Sequence, residues 1–361
     1  MKIIKVNLGK RAYNIIIGNN ILSLLGKYVS KLDIGYDAYV LTNPFLKNKY
    51  GEVLNKALRQ SSFDVRFKVI PDTEKSKSME MTSLIIKDLA DYDKKKRIFV
   101  VAFGGGVVGD LAGFVAAIYK RGIPYVQVPT TLLAQVDSGI GGKTGVDLIQ
   151  GKNLVGAFYQ PRLVLSDVRI LKTLNKKQIQ SGIAEIIKYG LIKNARLFAY
   201  LERNYRDILK LKTPALEFIV VRSSYIKAET VQQDEWEEKG IRTILNFGHT
   251  IGHAIEAAGK YKKYNHGEAI ALGMLAACDI SERIKLLNNR TNQRIRNLIK
   301  SAGLPTKIEN ISLSEIIKAH YHDKKFMGAK NKFVLIRDIA KVAIIENISL
   351  KIIKDALQER I

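Results

Sequence analysis

Short β-branched runs alternate with helical stretches over the first half of the chain. KIIKVNL, YNIIIG, AYVLTN, FDVRFKVI, RIFVVAF and YVQVPTT predict strands, because their apolar residues come in short runs or at every second position. Between several of them lie segments with apolar residues at helical spacing, such as SMEMTSLIIKDLADYDKK. Strands alternating with helices predict a parallel α/β sheet with its ligand crevice at the carboxyl ends of the strands. From about residue 170 the period lengthens. IAEIIKYGLIKNARLFAYLERNY, ALEFIVVRSSYIKAETV, HTIGHAIEAAGKY and GEAIALGMLAACDISERIKLL all repeat apolar residues at helical spacing, so the second half is expected to be mostly helical. A late strand pair is expected from KFVLIRDI and KVAIIENI. The pattern divides the chain into a Rossmann-like α/β domain over 1–170 and a mainly α-helical domain over 171–361. The active site is expected in a cleft where the two pack face to face.

Composition narrows the class. A length of 361 residues suits two domains at roughly 100–200 residues each. Apolar residues at 47% and charged ones at 26% exclude wholesale disorder. The single cysteine, Cys278, excludes a disulfide framework and a zinc site of several thiolates. No stretch approaches the roughly 18 uninterrupted apolar residues of a membrane span, and the opening MKIIKVNLGKR is too short a run for a signal segment. A cytoplasmic protein without membrane contact is expected. A formal charge of +25 raises the question of nucleic acid. Here the basic residues are interleaved with acids and carry few aromatic stacking platforms, so no nucleic-acid partner is expected. A small polyanionic substrate uses such a field better, since basic clefts gather anions.

Two motifs carry chemistry. RIFVVAF runs directly into Gly104, Gly105, Gly106, Val107, Val108, Gly109 and Asp110, then into the helix-like LAGFVAAIYK. That is GxGxxG with a strand before it and a helix after, where backbone amides can hold a pyrophosphate. The turn follows several strands instead of the first, and no acid ends the next strand YVQVPTT. Glu74 in PDTEKSKSME is then the candidate ribose partner. The second motif is a histidine cluster: His249 and His253 in NFGHTIGHAIE, and His266 in NHGEAIALGM. Residues four apart share a helix face, a spacing that metal pairs use. His266 returns at the start of the next helix, with glycines allowing close approach. Glu185, on an otherwise apolar helix face, is the candidate anionic ligand; the competing reading is a surface carboxylate paired with Lys188.

The blocks GGGVVGDLAGFVAA, RGIPYVQVPTTLLAQVDSGIGGKTGVD, GKNLVGAFYQP, SGIAEIIKYG, LNFGHTIGHAIE and HGEAIALGM occur in order over almost the whole chain. Together they resemble the 3-dehydroquinate synthase family. The resemblance implies a zinc- or cobalt- and NAD-dependent carbon–oxygen lyase acting on phosphates, the second enzyme of the shikimate pathway. Its substrate would be 3-deoxy-D-arabino-heptulosonate 7-phosphate. Transient oxidation at C5 acidifies the C6 proton for β-elimination of phosphate; re-reduction, ring opening and an intramolecular aldol step then give 3-dehydroquinate.

Carried over by motif, the metal ligands are Glu185, His249 and His266. The resemblance thus removes His253 from the metal and makes it a residue beside the substrate that assists proton transfer, directly or through the phosphate. The phosphate pocket maps to Lys143, Lys152, Asn153 and Asn246, with Arg121 from a neighbouring subunit of a homodimer and one lysine of DKK, Lys324 or Lys325. The carboxylate end maps to Arg242 and Lys227, and Lys188 and Asp137 contact hydroxyls. For NAD the resemblance implies Gly105, Gly106, Val107 and Asp110 at the pyrophosphate, and Asn43, Glu74 and Lys77 at the adenosine. Thr130, Thr131, Asp137, Ser138, Thr173, Leu174 and Gln178 fall to the nicotinamide half, with Lys143 and Lys152 also on the cofactor side. Departures from the family pattern are Gln178 for a usual glutamate, Gly139 for a common serine, and a one-residue insertion in QQDEWEEKGIR. Another sugar phosphate cyclase, or a metal-dependent polyol dehydrogenase of the glycerol dehydrogenase type, is the alternative.

Overall fold

The computed structural model describes residues 1–94, 97–322 and 331–361. Lys324 and Lys325 lie outside the described residues. The chain forms two compact units, Met1–Leu174 with Leu216–Trp236, and Asn175–Ala215 with Glu237–Ile361. Among the described residues, no helix is long and apolar enough to cross a membrane.

Among its described residues the first unit holds nine strands: β1 (Lys2–Val6), β2 (Tyr13–Gly18), β3 (Asp37–Thr42), β4 (Asp64–Val69), β5 (Ile98–Gly104), β6 (Tyr125–Pro129), β7 (Lys143–Leu148), β8 (Gly151–Phe158) and β9 (Leu163–Asp167). Seven form one sheet in the order β1-β2-β9-β6-β5-β3-β4. Only the β1–β2 pair is antiparallel. The continuous apolar runs inside β3 (AYVL) and β5 (IFVVAF) follow from burial on both faces. Val40, Val101 and Phe103 pack on one side with Leu54 and Leu58 of helix Pro44–Arg59. Tyr39, Leu41 and Val100 face the other side with Ile85, Leu89 and Leu111. Each such buried aliphatic side chain contributes about 1.5–3 kcal/mol.

All six strands expected in the first half are present, and so is the late pair, β10 (Lys332–Asp338) with β11 (Lys341–Glu346), antiparallel. Three strands carry no clear signal in the sequence. The β7–β8 hairpin sets Gly145 opposite Gly156, where added Cβ atoms would meet Val155 O at 2.6 Å and Thr144 O at 2.3 Å. Such close backbone approach needs glycine and erases the apolar alternation. β9, LVLSD, is a short fully buried run that periodicity cannot assign.

Helix Thr213–Gln233 reads as part of the helical half, yet Leu216–Trp236 belongs to the first unit. Its side chains bond there: Ser224 Oγ donates to Gln135 O at 3.1 Å, and Gln232 Oε1 accepts from Asn7 N at 2.6 Å. Lys227 Nζ meets Asp137 Oδ1 at 2.6 Å. The second unit is built around helix Lys176–Lys193, buried almost continuously from Ile179 to Ile192, and helix His266–Arg283. The single stretch read through 183–205 is two helices, because Asn194 ends one and caps the next by accepting from Leu197 N at 2.9 Å.

Candidate active site

In the first unit, strands β4-β3-β5-β6-β9 repeat the doubly wound order 2-1-3-4-5, whose ligand crevice lies where the order reverses. Here that is between the carboxyl ends of β3 and β5. Asn43 stands at the end of β3, where its Oδ1 caps helix Pro44–Arg59 by accepting from Leu46 N at 2.9 Å. Gly104 ends β5, and Gly105 caps helix Gly106–Ile118 with no side chain on its first amides. Those free amides and the positive end of the helix suit a pyrophosphate.

The turn is closely packed. A Cβ on Gly104 would meet Val108 at 2.4 Å, one on Gly105 would meet Thr131 Cγ2 at 3.0 Å, and one on Gly106 would meet Ser138 Oγ at 3.3 Å. Thr130 N donates to Gly104 O at 3.0 Å. The structure therefore gathers Gly105, Gly106, Thr130, Thr131 and Ser138. Ser138 Oγ is buried without a hydrogen-bond partner among the described residues, which fits a polar ligand beside the turn.

Charged groups surround this crevice. Lys77 Nζ lies 2.6 Å from Asp110 Oδ2 and also bonds Asn153. Burial pushes Asp110 up to about 6, against the pull of the Lys77 cation, and the carboxylates of Glu74 and Asp147 add to the rise. Lys77 itself is raised: burial would lower it, and Asp110 outweighs that. Glu74 sits in the turn after β4, paired with Lys152 at 3.0 Å. Asp147 Oδ1 accepts from Asn153 N at 2.8 Å. Lys152 and Asn153 on β8 are thus joined to the adenosine candidates Glu74 and Lys77. Asp137 and Ser138 lie in the turn Ala134–Ser138, and Lys143 opens β7. Thr173 ends the turn Ile170–Thr173, with Leu174 after it. Arg121 is exposed in a turn where Lys120 and Arg121 both have positive φ, 50° and 63°.

In the second unit the histidines are set by glycines. His249 is the first residue of helix His249–Ala258, His253 stands one turn on, and His266 opens helix His266–Arg283. Asn265 and Glu268 form a capping box that fixes where the second helix begins. The two helices touch backbone to backbone: a Cβ on Gly252 would meet Ala269 O at 3.1 Å, and one on Gly248 would meet Met274 N at 2.9 Å. Gly267 lies against Ser181, with 2.3 Å from its would-be Cβ to Ser181 Cα. That contact sets His266 beside Glu185, one turn further along helix Lys176–Lys193.

Glu185 Oε1 lies 3.5 Å from His249 Nε2 and 3.4 Å from His266 Nε2. The three donor atoms all fall within 4.8 Å of one another. Donors at about 2.0–2.2 Å around a tetrahedral ion stand roughly 3.3–3.6 Å apart, so the set fits zinc or a like cation. Glu185 is fully buried, and its pairing with Lys188 is a buried contact rather than a surface one. Burial holds His249 well below the usual imidazole range, with the Lys188 cation adding to the drop and Glu185 opposing it. Burial would also lower His266, but the carboxylates of Glu185 and Glu256 beside its two nitrogens outweigh it and push the ring up to about 10. One positive charge is thus favoured where a cation would sit, and a metal binding there displaces a proton.

His253 stands outside this triad, its ring 5.3 Å from that of His249. Glu256, three residues along the same face, joins His253 and His266 in a second group of donors within 4.8 Å. The sequence reading passed over Glu256, although its i, i+3 spacing from His253 was a usable signal. Arg242 is buried and its Nε lies 3.1 Å from Glu237 Oε1, and Asn246 ends the same short helical segment. Gln178 completes a capping box with Asn175, its Oε1 accepting from Asn175 N at 3.2 Å. The amide therefore does locally what the family's glutamate would do in a capping box.

The chain is similar to known proteins along most of its length. Residues 67–181 match the family model described as 3-dehydroquinate synthase N-terminal, and residues 182–326 the one described as 3-dehydroquinate synthase C-terminal. A 3-dehydroquinate synthase of Thermoanaerobacter sp. (strain X514) is 46% identical over 357 residues, 98% of this chain and 100% of that protein. The structure of 2-epi-5-epi-valiolone synthase from Streptomyces hygroscopicus subsp. jinggangensis 5008, with NAD+ and Zn2+ bound, superposes with a TM-score of 0.88 at 26% identity, covering 96% of each chain. A 2-deoxy-scyllo-inosose synthase, complexed with carbaglucose-6-phosphate, NAD+ and Co2+, gives 0.88 at 26% identity over 100% of both chains.

Proposed function

The chain belongs to the 3-dehydroquinate synthase family, and on that premise we propose how its residues divide the work of the reaction. The activity is conversion of 3-deoxy-D-arabino-heptulosonate 7-phosphate to 3-dehydroquinate and phosphate, with no net redox change. NAD and one zinc or cobalt ion serve as cofactors.

Glu185, His249 and His266 would hold the ion, which supplies Lewis acidity to the substrate's C4 and C5 hydroxyls. The amides of Gly105, Gly106 and Val107, followed by Asp110, would hold the NAD pyrophosphate, with Asn43, Glu74 and Lys77 toward the adenosine; the nicotinamide would supply a reversible hydride acceptor for C5. Thr130, Thr131, Ser138, Thr173, Leu174 and Gln178 are assigned to the nicotinamide end. Lys143, Lys152, Asn153 and Asn246 take the phosphate, and Arg242 with Lys227 the carboxylate. Both of those last cations already face carboxylates, Glu237 and Asp137, so the substrate exchanges for an existing partner instead of neutralising a bare charge. Lys188 and Asp137 contact hydroxyls. His253, beside the triad but not in it, carries the proton. Arg121 is proposed to complete the phosphate pocket of a second copy in a homodimer, and the enzyme to work in the cytoplasm.

The observation that carries this reading is the Glu185–His249–His266 triad, its carboxylate fully buried and its two rings half-buried, set by glycine-to-backbone contacts in a chain of this family. Another branch of sugar phosphate cyclase would leave Arg242 and Lys227 without a substrate carboxylate. Turnover of heptulosonate phosphate, sedoheptulose 7-phosphate and glucose 6-phosphate separates the cases. The first alone should release phosphate efficiently; preference for either of the others would overturn the assignment.

A further inference from the structure

Both imidazoles of the triad turn Nε2 toward Glu185, and something holds the opposite nitrogen of each. For His249 it is a backbone carbonyl: Nδ1 lies 3.1 Å from Phe247 O. For His266 the group facing Nδ1 is Glu256, with Oε1 at 3.6 Å, while Nε2 lies 3.4 Å from Glu185 Oε1. We propose that Glu256 is a positioning residue of the metal centre, accepting the Nδ1–H of His266 and so presenting the Nε2 lone pair to the ion.

The inference rests on the metal assignment above and gives a role to a residue that closes the block LNFGHTIGHAIE and to which the resemblance assigned none. A neutral imidazole has one N–H and one lone pair, and whatever binds the N–H decides which nitrogen can ligate. A carboxylate behind a ligating histidine is a recurrent way of fixing that choice. Glu256 is buried to 8% exposure, which keeps water from competing for the imidazole N–H. The separation of 3.6 Å is ion-pair reach, longer than a finished hydrogen bond; such contacts tighten when the site is loaded.

His253, Glu256 and His266 also satisfy the spacing of a cation site in their own right. Filling it together with the triad would require His266 to offer lone pairs from both nitrogens at once, hence a fully deprotonated ring. Acceptance of one N–H by Glu256 needs no such cost.

The test measures zinc affinity of the full-length protein by competition with a chromogenic chelator, for wild type, Glu256→Ala, Glu256→Gln and His249→Ala. Glu256→Ala should bind zinc about 10–100-fold more weakly. Glu256→Gln, which keeps an acceptor oxygen, should recover most of that loss. Nitrogen-resolved NMR of the zinc-loaded wild type should show His266 protonated at Nδ1, a reading that does not depend on any variant folding. Unchanged affinity in Glu256→Ala, or a His266 ring ligating through Nδ1, overturns the inference. So does a variant whose only change is in the pH profile of activity, which would assign Glu256 to His253. If His249→Ala also leaves zinc affinity intact, the triad itself is wrong; if it abolishes binding while Glu256→Ala does not, only the role of Glu256 falls.

Discussion

Gly273 rests on the carbonyl of Gly248, so closely that a Cβ on Gly273 would sit 2.0 Å from Gly248 O. Gly248 precedes His249, and Gly273 lies two turns beyond His266 on the partner helix. The spacing of the two histidines is therefore set by backbone contact, which cannot yield as a flexible side chain can.

Gly273→Ala is expected to destabilise the protein by the upper part of the roughly 1–3 kcal/mol typical of overpacking, and to weaken zinc binding with it. Urea unfolding with and without zinc reads both effects. A neutral substitution would mean that the helices can part without consequence for the site.

Removing a ligand should act on metal and catalysis together. His249→Ala is expected to lower zinc affinity by more than the ~10–100-fold of an outer contact and to abolish phosphate release. Elemental analysis after dialysis, with circular dichroism to verify folding, checks this. A metal-replete, active variant would remove His249 from the centre.

Asp110 makes stability depend on pH in an unusual direction for a carboxylate. Its folded pKa, about 6, lies above the ordinary 3.8. The folded state thus binds this proton more tightly than the unfolded chain does. The resulting stability is present below about pH 4 and is lost as pH rises through about 6, by at most about 3 kcal/mol. Thermal unfolding of wild type and Asp110→Asn between pH 4 and 7 should show this component only in the wild type. A carboxyl NMR titration with an ordinary midpoint would contradict it.

Arg121 lies in a turn with two consecutive left-handed residues, strain of a kind that clusters at functional sites. Arg121→Ala should raise KM for the phosphorylated substrate. Mixing it with Lys143→Ala should restore part of the activity, because one site of each mixed dimer then carries both cations. Failure of every mixture to recover activity would argue against a shared site.

Much of this was legible in the residues. The strands up to Pro129 and the helices His249–Ala258 and His266–Arg283 follow from period alone, GGGVVG stands in its strand-turn-helix setting, and the helices Asn289–Ser301, Leu313–His322 and Leu350–Gln358 were not singled out. The missed strands have physical reasons: glycines in the β7–β8 hairpin and the brevity of β9. Helical period also could not say that Leu216–Trp236 packs with the first unit, since amphipathicity reveals a buried face but not its partner. Spacing placed His249 and His253 together, and the fold does so too; only the third dimension shows Glu185 between His249 and His266, and Glu256 behind the latter.

The most direct measurement follows phosphate release from 3-deoxy-D-arabino-heptulosonate 7-phosphate, with NAD, before and after chelation, while absorbance reports NADH. The account predicts one phosphate per dehydroquinate formed, loss of turnover on chelation, recovery with zinc or cobalt, and no accumulated NADH. Turnover indifferent to metal removal, or NADH rising in step with product, would contradict it.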